Sequence, residues 1–218
     1  MILDENLRVE EQTSITLTEG EIFTRIWTSP RIVFKFLNDT HYDKHIYLLL
    51  ALGGIGNGIE QATTHAFGEN WPFIVVVCIA VILGVVLGII GNRVYAGLVL
   101  WTGRLFNGKA NFHQLLRVNA YSMIPTIAAL IFIFMEVGFY GDQMFKSGFN
   151  GILLNPPYNF LFYFSLMAQF VLGIWAFVIN VVGTAEVQKI STVSAFWNVM
   201  LPALIVFVII FLVTYLVR

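Results

Sequence analysis

The sequence predicts an all-α integral membrane protein: a five-helix transmembrane bundle with an N-terminal amphipathic interfacial helix. Three observations carry that reading. Of 218 residues, 58% are hydrophobic and 11% are charged, whereas soluble domains hold about 45–50% apolar and about 25% charged residues. Five windows, 46–66, 72–91, 118–138, 158–181 and 197–217, approach the roughly 20 apolar residues that a helix needs to cross a hydrocarbon core. Lipid offers the backbone no partner, so each crossing must be a helix. Finally, Lys and Arg accumulate on the untranslocated side of a membrane. With five crossings and the N-terminus inside, ten of the twelve basic residues fall on inner segments, and only Lys146 and Arg218 fall outside. Were 46–66 not to cross, the split would be five against seven.

Composition also excludes classes. A net charge of −1 gives no basic field for nucleic acid. The single cysteine, Cys78, lies in an apolar run, so neither an internal disulfide nor a cysteine metal site is possible.

Residues 1–20 read as a flexible acidic cytoplasmic tail. Residues 4–21 hold six acids (Asp4, Glu5, Glu10, Glu11, Glu19, Glu21) and one Arg. The opening has neither the basic start nor the apolar stretch of a signal peptide. Residues 21–45 form the amphipathic interfacial segment. Thr18 and Glu21 have the spacing of a capping box, and Ile22, Phe23, Ile26 and Trp27 follow at helical spacing. Ser29-Pro30 restarts the helix, because the N–H that proline lacks would be unpaired at a first helical position. The kinked helix over 21–37 either lies along the inner leaflet with Arg31 and Lys35 toward phosphates, or packs on the cytoplasmic loops. Residues 46–218 form the membrane domain.

Within it, the run from Ile46 to Ile55 gives way to Gly56, Asn57, Glu60, Gln61 and His65, leaving this crossing the least apolar. Glu60 is the one carboxylate well inside a span, and ionisable groups at depth are functional suspects by default; the alternative is that the helix ends early and leaves Glu60 among headgroups. Glu136 leans toward the interface. Gly53, Gly54, Gly56 and Gly58 mark a kink or close contact, and they are not a phosphate loop because no Gly-Lys-Ser/Thr follows. Gly84, Gly88 and Gly91 are expected on one helix-packing face, small residues letting membrane helices approach closely. Residues 92–117 join the second and third spans, with a tight basic turn over 103–109 and a cap at Asn111. Pro125 and Pro202 are expected to kink their helices and free the carbonyls of Tyr121 and Asn198 for other donors. Each proline closes a Met-x-Pro, a faint internal echo between 119–125 and 198–202.

Residues 101–125, Trp-Thr-Gly-Arg-Leu-Phe-Asn-Gly-Lys-Ala-Asn-Phe-His-Gln-Leu-Leu-Arg-Val-Asn-Ala-Tyr-Ser-Met-Ile-Pro, resemble the Yip-one domain family, the Ypt/Rab-interacting membrane proteins. The shared pattern is a Gly-Lys turn, an aromatic, a short amphipathic run, then Tyr-Ser/Ala-x-x-Pro entering a span. Ser29-Pro30-Arg31, Trp175, Ser191 to Ala195 and Pro202 extend the likeness over about 25–217. The resemblance implies five membrane helices, a cytoplasmic N-terminus and a short external C-terminus. In the eukaryotic branch it also implies binding of small GTPases and traffic between ER and Golgi. That branch carries Asp-Leu-Tyr-Gly-Pro where this chain reads Thr28-Ser29-Pro30-Arg31-Ile32, a form more similar to the bacterial branch. The host is therefore expected to be a bacterial inner membrane, with a Golgi/ER membrane as the alternative.

No catalytic, cofactor or metal site is expected. Ser122 and His113 lack the surroundings of a nucleophile and base, and His41, Asp43 and His45 would need further ligands to hold a metal. The expected function is a membrane scaffold or interaction component; the alternative is a small-solute transporter or channel. The expected partners are the bilayer and other membrane proteins or a cytoplasmic protein, met at Arg31, Lys35, Arg93, Arg104, Lys109 and Arg117. A small GTPase joins them only if the eukaryotic role applies.

Overall fold

The computed structural model of the protein describes residues 16–149 and 158–216. Most of the expected acidic tail, and Arg218, lie outside the described residues. Every regular element among those described is helical.

Thr18 and Glu21 cap each other's backbone N–H groups and open α1, Glu19–Arg25. The chain turns and restarts at Pro30 as α2, Pro30–Asp39. A turn follows in which His41 and His45 take positive φ angles of 51° and 68°, so the two histidines share no helix face. Next come α3, Ile46–Thr64, and α4, Phe73–Gly103. Asn111 and Gln114 form a second capping box at the start of α5, Phe112–Ser122, which gives way at Met123 to α6, Ile124–Tyr140. Two further long helices, α7 (Tyr158–Gln188) and α8 (Thr192–Leu216), complete the order.

Four helical stretches are long and apolar enough to cross a membrane: 73–106, 112–145, 159–188 and 192–215. The helix α3 falls short by composition, because Asn57, Glu60 and Gln61 dilute its apolar run. It nevertheless lies antiparallel along α4. A Cβ on Gly88 would sit 2.5 Å from the Leu50 carbonyl oxygen, one on Gly54 would sit 2.1 Å from that of Gly84, and one on Gly58 would sit 2.0 Å from that of Ala80. Backbone thus lies on backbone, the contact that membrane helices use when water does not drive them together. Buried in this way, α3 needs less apolar surface than a lipid-facing helix.

The seam on α4 advances four residues at a time through Val76, Ala80, Gly84 and Gly88, all buried. That is the ridge direction of an i, i+4 row, so its next position is Asn92. Gly91 does not join its two neighbours: it is exposed, and a Cβ there would meet nothing within 4 Å. The first part of the joining segment 92–117 is itself helical, because α4 continues to Gly103. Ala96, Val99 and Gly103 follow at helical spacing and are buried. At 1.5 Å per residue, the 31 residues of α4 extend about 46 Å, well beyond a hydrocarbon core of about 30 Å. The helix α7 has the same length.

The helix α5 and the protruding turns of α7 build the floor on which α2 rests, and α1 shares the same core. Ile22, Ile26, Val33, Phe34 and Leu37 are at most 1% exposed and share a core with Leu115, Leu116, Ile179 and Val187. The Phe34 ring lies where a side chain on Gly183 would go, and Gln114 donates to Asn38 at 2.6 Å. Of the two covers open to the apolar stripe, protein supplies the one observed.

The two prolines act differently. Pro125 stands in the first turn of α6, after the chain has already broken helix at Met123. Pro202 lies inside α8; there the Asn198 carbonyl accepts from Thr102 Oγ1 at 3.3 Å and the Val199 carbonyl from the Tyr95 hydroxyl at 3.1 Å. Both donors belong to α4.

Candidate functional site

Two regions bring polar side chains together. The first is the end of the bundle that carries α1 and α2. Lys35, Arg104 and Lys109 are exposed there, and their side chains have no hydrogen bond or ion pair among the described residues. The Lys109 backbone N–H donates to the Gln188 carbonyl at 3.1 Å. Gly103 and Gly108 press on the buried Gln188 side chain so closely that a Cβ on Gly108 would lie 1.7 Å from Oε1. The Gly108-Lys109 turn therefore clamps the end of α7 and presents its lysine outward.

The other three expected surface cations are engaged. Arg31 faces Glu186 at 3.7 Å and Thr192 at 3.4 Å. Arg93 donates to the Tyr47 hydroxyl at 2.7 Å, with its guanidinium carbon 5.1 Å from that ring's centroid. Arg117 is a correction: it is not a surface group, being 3% exposed. Its Nη2 and Nε donate to Asp43 Oδ1 at 2.5 and 3.0 Å, while Nη1 is buried without a partner. The helix α5 is buried on every side from Leu115 to Ser122, and that places Arg117 inside. The Tyr121 hydroxyl donates to the Lys44 carbonyl at 2.6 Å, fastening the same turn. Outside, Lys44 pairs with Glu19. This bond holds the Glu19 carboxyl below its ordinary value and the Lys44 ammonium above its own. Asp43 is committed to Arg117, and no group of three or more metal-ligating side chains exists among the described residues.

Beneath this layer lies a chain of amides that sequence reasoning missed. Asn180 donates to Asn119 Oδ1 at 2.9 Å and to Ser122 Oγ at 3.0 Å; Asn119 donates to Asn92 Oδ1 at 2.9 Å. Asn92 in turn donates to the Gly88 carbonyl at 2.7 Å. Thr102 reaches Asn198 Oδ1 at 2.7 Å. The echo between 119–125 and 198–202 thus sets an asparagine against α4 in each half. Amides inside apolar windows were the available signal, since polar groups at membrane depth seek one another.

The second region is a cavity of about 430 Å³ between α3, α6 and α7, near the opposite end of the bundle. Asn57, Glu60 and Thr63 line it from α3, Thr126 and Glu136 from α6, and Gln169 from α7. Glu60 is exposed to this space. Glu136 is packed inside the bundle, 8% exposed and bonded to Ser165 and Gln169. Gln169 Nε2 donates to Ser165 Oγ at 2.9 Å. Among the described residues, no lining side chain is Lys, Arg or His.

The family model of the Yip1 domain matches residues 25–214. No curated protein and no solved structure matches the chain.

Proposed function

The chain belongs to the Yip1 domain family, and from that premise we propose that it works as a membrane scaffold, an interaction component that organises other proteins at the bilayer. One observation carries this reading: α1 and α2 are docked by side chains at most 1% exposed, while Lys35, Arg104 and Lys109 stay exposed and unpaired among the described residues. A fixed layer with free cations suits recognition of an acidic partner surface or anionic headgroups. The partner is another membrane protein or a cytoplasmic protein; a small GTPase follows only if the role of the eukaryotic branch applies. The N-terminus lies in the cytoplasm and the C-terminus outside, with α3 as the fifth crossing. Ser29-Pro30-Arg31 favours a bacterial inner membrane over a Golgi/ER one.

The test is crosslinking in the native membrane, followed by identification of what is captured. The triple substitution Lys35→Glu, Arg104→Glu, Lys109→Glu is expected to abolish capture while leaving insertion and amount unchanged. Capture that survives it overturns the reading. Deleting residues 1–38 is a poorer test, because it strips Ile22, Ile26, Val33, Phe34 and Leu37 from the core.

The cavity holding Glu60 and Glu136 favours a second reading, small-solute transport. Solute flux in proteoliposomes that vanishes in Glu60→Gln would establish it.

A further inference from the structure

We propose that the cavity between α3, α6 and α7 is a binding site for an ammonium group attached to an apolar body. Its volume of about 430 Å³ lies within the roughly 300–1,000 Å³ of small-molecule sites and far exceeds a bare ion. Two carboxyl groups face it, and among the described residues no basic side chain lines it to answer them. An acid at membrane depth is costly unless something neutralises it, and the missing partner is a cation. The two acids are prepared differently. Glu136 is held in place by Ser165 and Gln169, so little ordering remains to be done when a ligand arrives. The Glu60 side chain has no hydrogen bond or ion pair among the described residues and is exposed, leaving its carboxylate free to close on a donor.

The other walls decide the rest of the ligand. Ile133, Met144, Phe149 and Phe162 line the cavity; they suit a hydrocarbon portion, and the aromatic faces attract a cation as well. A metal ion is a poorer occupant, since it asks for a closer shell of oxygen ligands and no group of three or more ligating side chains exists among the described residues. The ammonium has two possible sources, an aminophospholipid headgroup or a free amine. Binding is the claim, and it stands whether or not the ligand is carried across.

Two measurements on the purified full-length protein in dodecyl maltoside, an uncharged and amine-free detergent, test the site. In the first, benzylammonium is titrated, with benzyl alcohol as the neutral control of the same shape. Saturable binding of one benzylammonium per chain is expected, with none for benzyl alcohol. Glu60→Gln should weaken it about tenfold or more, the effect of losing one charge-assisted hydrogen bond. In the second, native mass spectrometry follows incubation with equal phosphatidylethanolamine and phosphatidylglycerol. Preferential retention of phosphatidylethanolamine, lost in Glu60→Gln, assigns the lipid as the source. Benzylammonium binding without that preference assigns a free amine. Neither binding nor preference, or a Glu60→Gln protein that binds and retains as the parent does, overturns the proposal. Glu136→Gln serves as an independent second variant, and helicity by circular dichroism verifies that each variant is folded.

Discussion

Arg117 shows how one side chain's role depends on what surrounds it. Its side chain is 4% exposed and that of Asp43, which meets it, is 57% exposed, so the pair is one buried charge answered from the rim. Removing the two partners should therefore be unequal. Asp43→Ala leaves a buried charge without its counter-ion and should cost about 2–4 kcal/mol, whereas Arg117→Met, which removes the charge and keeps the bulk, should cost less. Thermal unfolding in detergent measures the order, and a milder effect for Asp43→Ala would contradict it. Glu19 and Lys44 make a different kind of pair, exposed at the edge of the same turn. The Glu19 carboxyl is lowered in the folded chain, chiefly by the Lys44 hydrogen bond, from an ordinary value of 4.5. What the pair contributes is thus fully present above that value and is lost as pH falls through the lower folded value. The protection of α1 amides, measured as exchange relative to the unfolded chain at each pH, should fall over that acidic range in the parent, and less so in Lys44→Met.

Among the elements, α3 and α4 form the tightest pair, because glycine brings their backbones into contact. Gly58→Ala would drive a methyl carbon to 2.0 Å from the Ala80 carbonyl oxygen. The helices must then separate, at a cost of about 1–3 kcal/mol or more. Gly91→Ala meets open space and should change stability by less than about 0.5 kcal/mol. The same melting experiment compares the two, and equal effects would remove the seam as the hairpin's main contact. The helix α8 depends on α4 for another reason. Pro202 withholds an N–H from the Asn198 carbonyl, and the single Thr102 hydroxyl proton is shared between that carbonyl at 3.3 Å and Asn198 Oδ1 at 2.7 Å. Thr102→Val should destabilise the parent by about 1 kcal/mol or more, since a buried acceptor loses its donor. In a Pro202→Ala background the helix regains its own bond, and the penalty should shrink. Helix lengths were harder to read than helix positions. Asn92 and Arg93 interrupt the apolar run, yet it resumes over 94–101 and α4 runs on to Gly103, with Ala96 and Val99 buried against protein.

The molecule as a whole is two ends with different chemistry joined by apolar helices. One end is a basic layer sealed by α1 and α2; the other opens into a cavity with two carboxyl groups. If α3 is a crossing, reporters attached to the two termini should fall in different compartments, and both in the same one would contradict the five-crossing reading. The sequence by itself determined that this chain lives in lipid, where its capping boxes open helices at Thr18 and Asn111, where Pro30 restarts one, and which family pattern it follows. Each of those properties is encoded by neighbours along the chain: a window of apolar residues, or a cap three residues from its partner. Tertiary structure alone decided that Arg117 is buried, that Gly91 stands off the seam, that Asn92, Asn119 and Asn180 join, and that Glu136 meets Glu60 in one cavity. Those outcomes depend on which helix faces come together. Helices apolar all round carry almost no periodic signal to announce their faces, so that choice is made by close packing and by polar groups finding partners across the bundle.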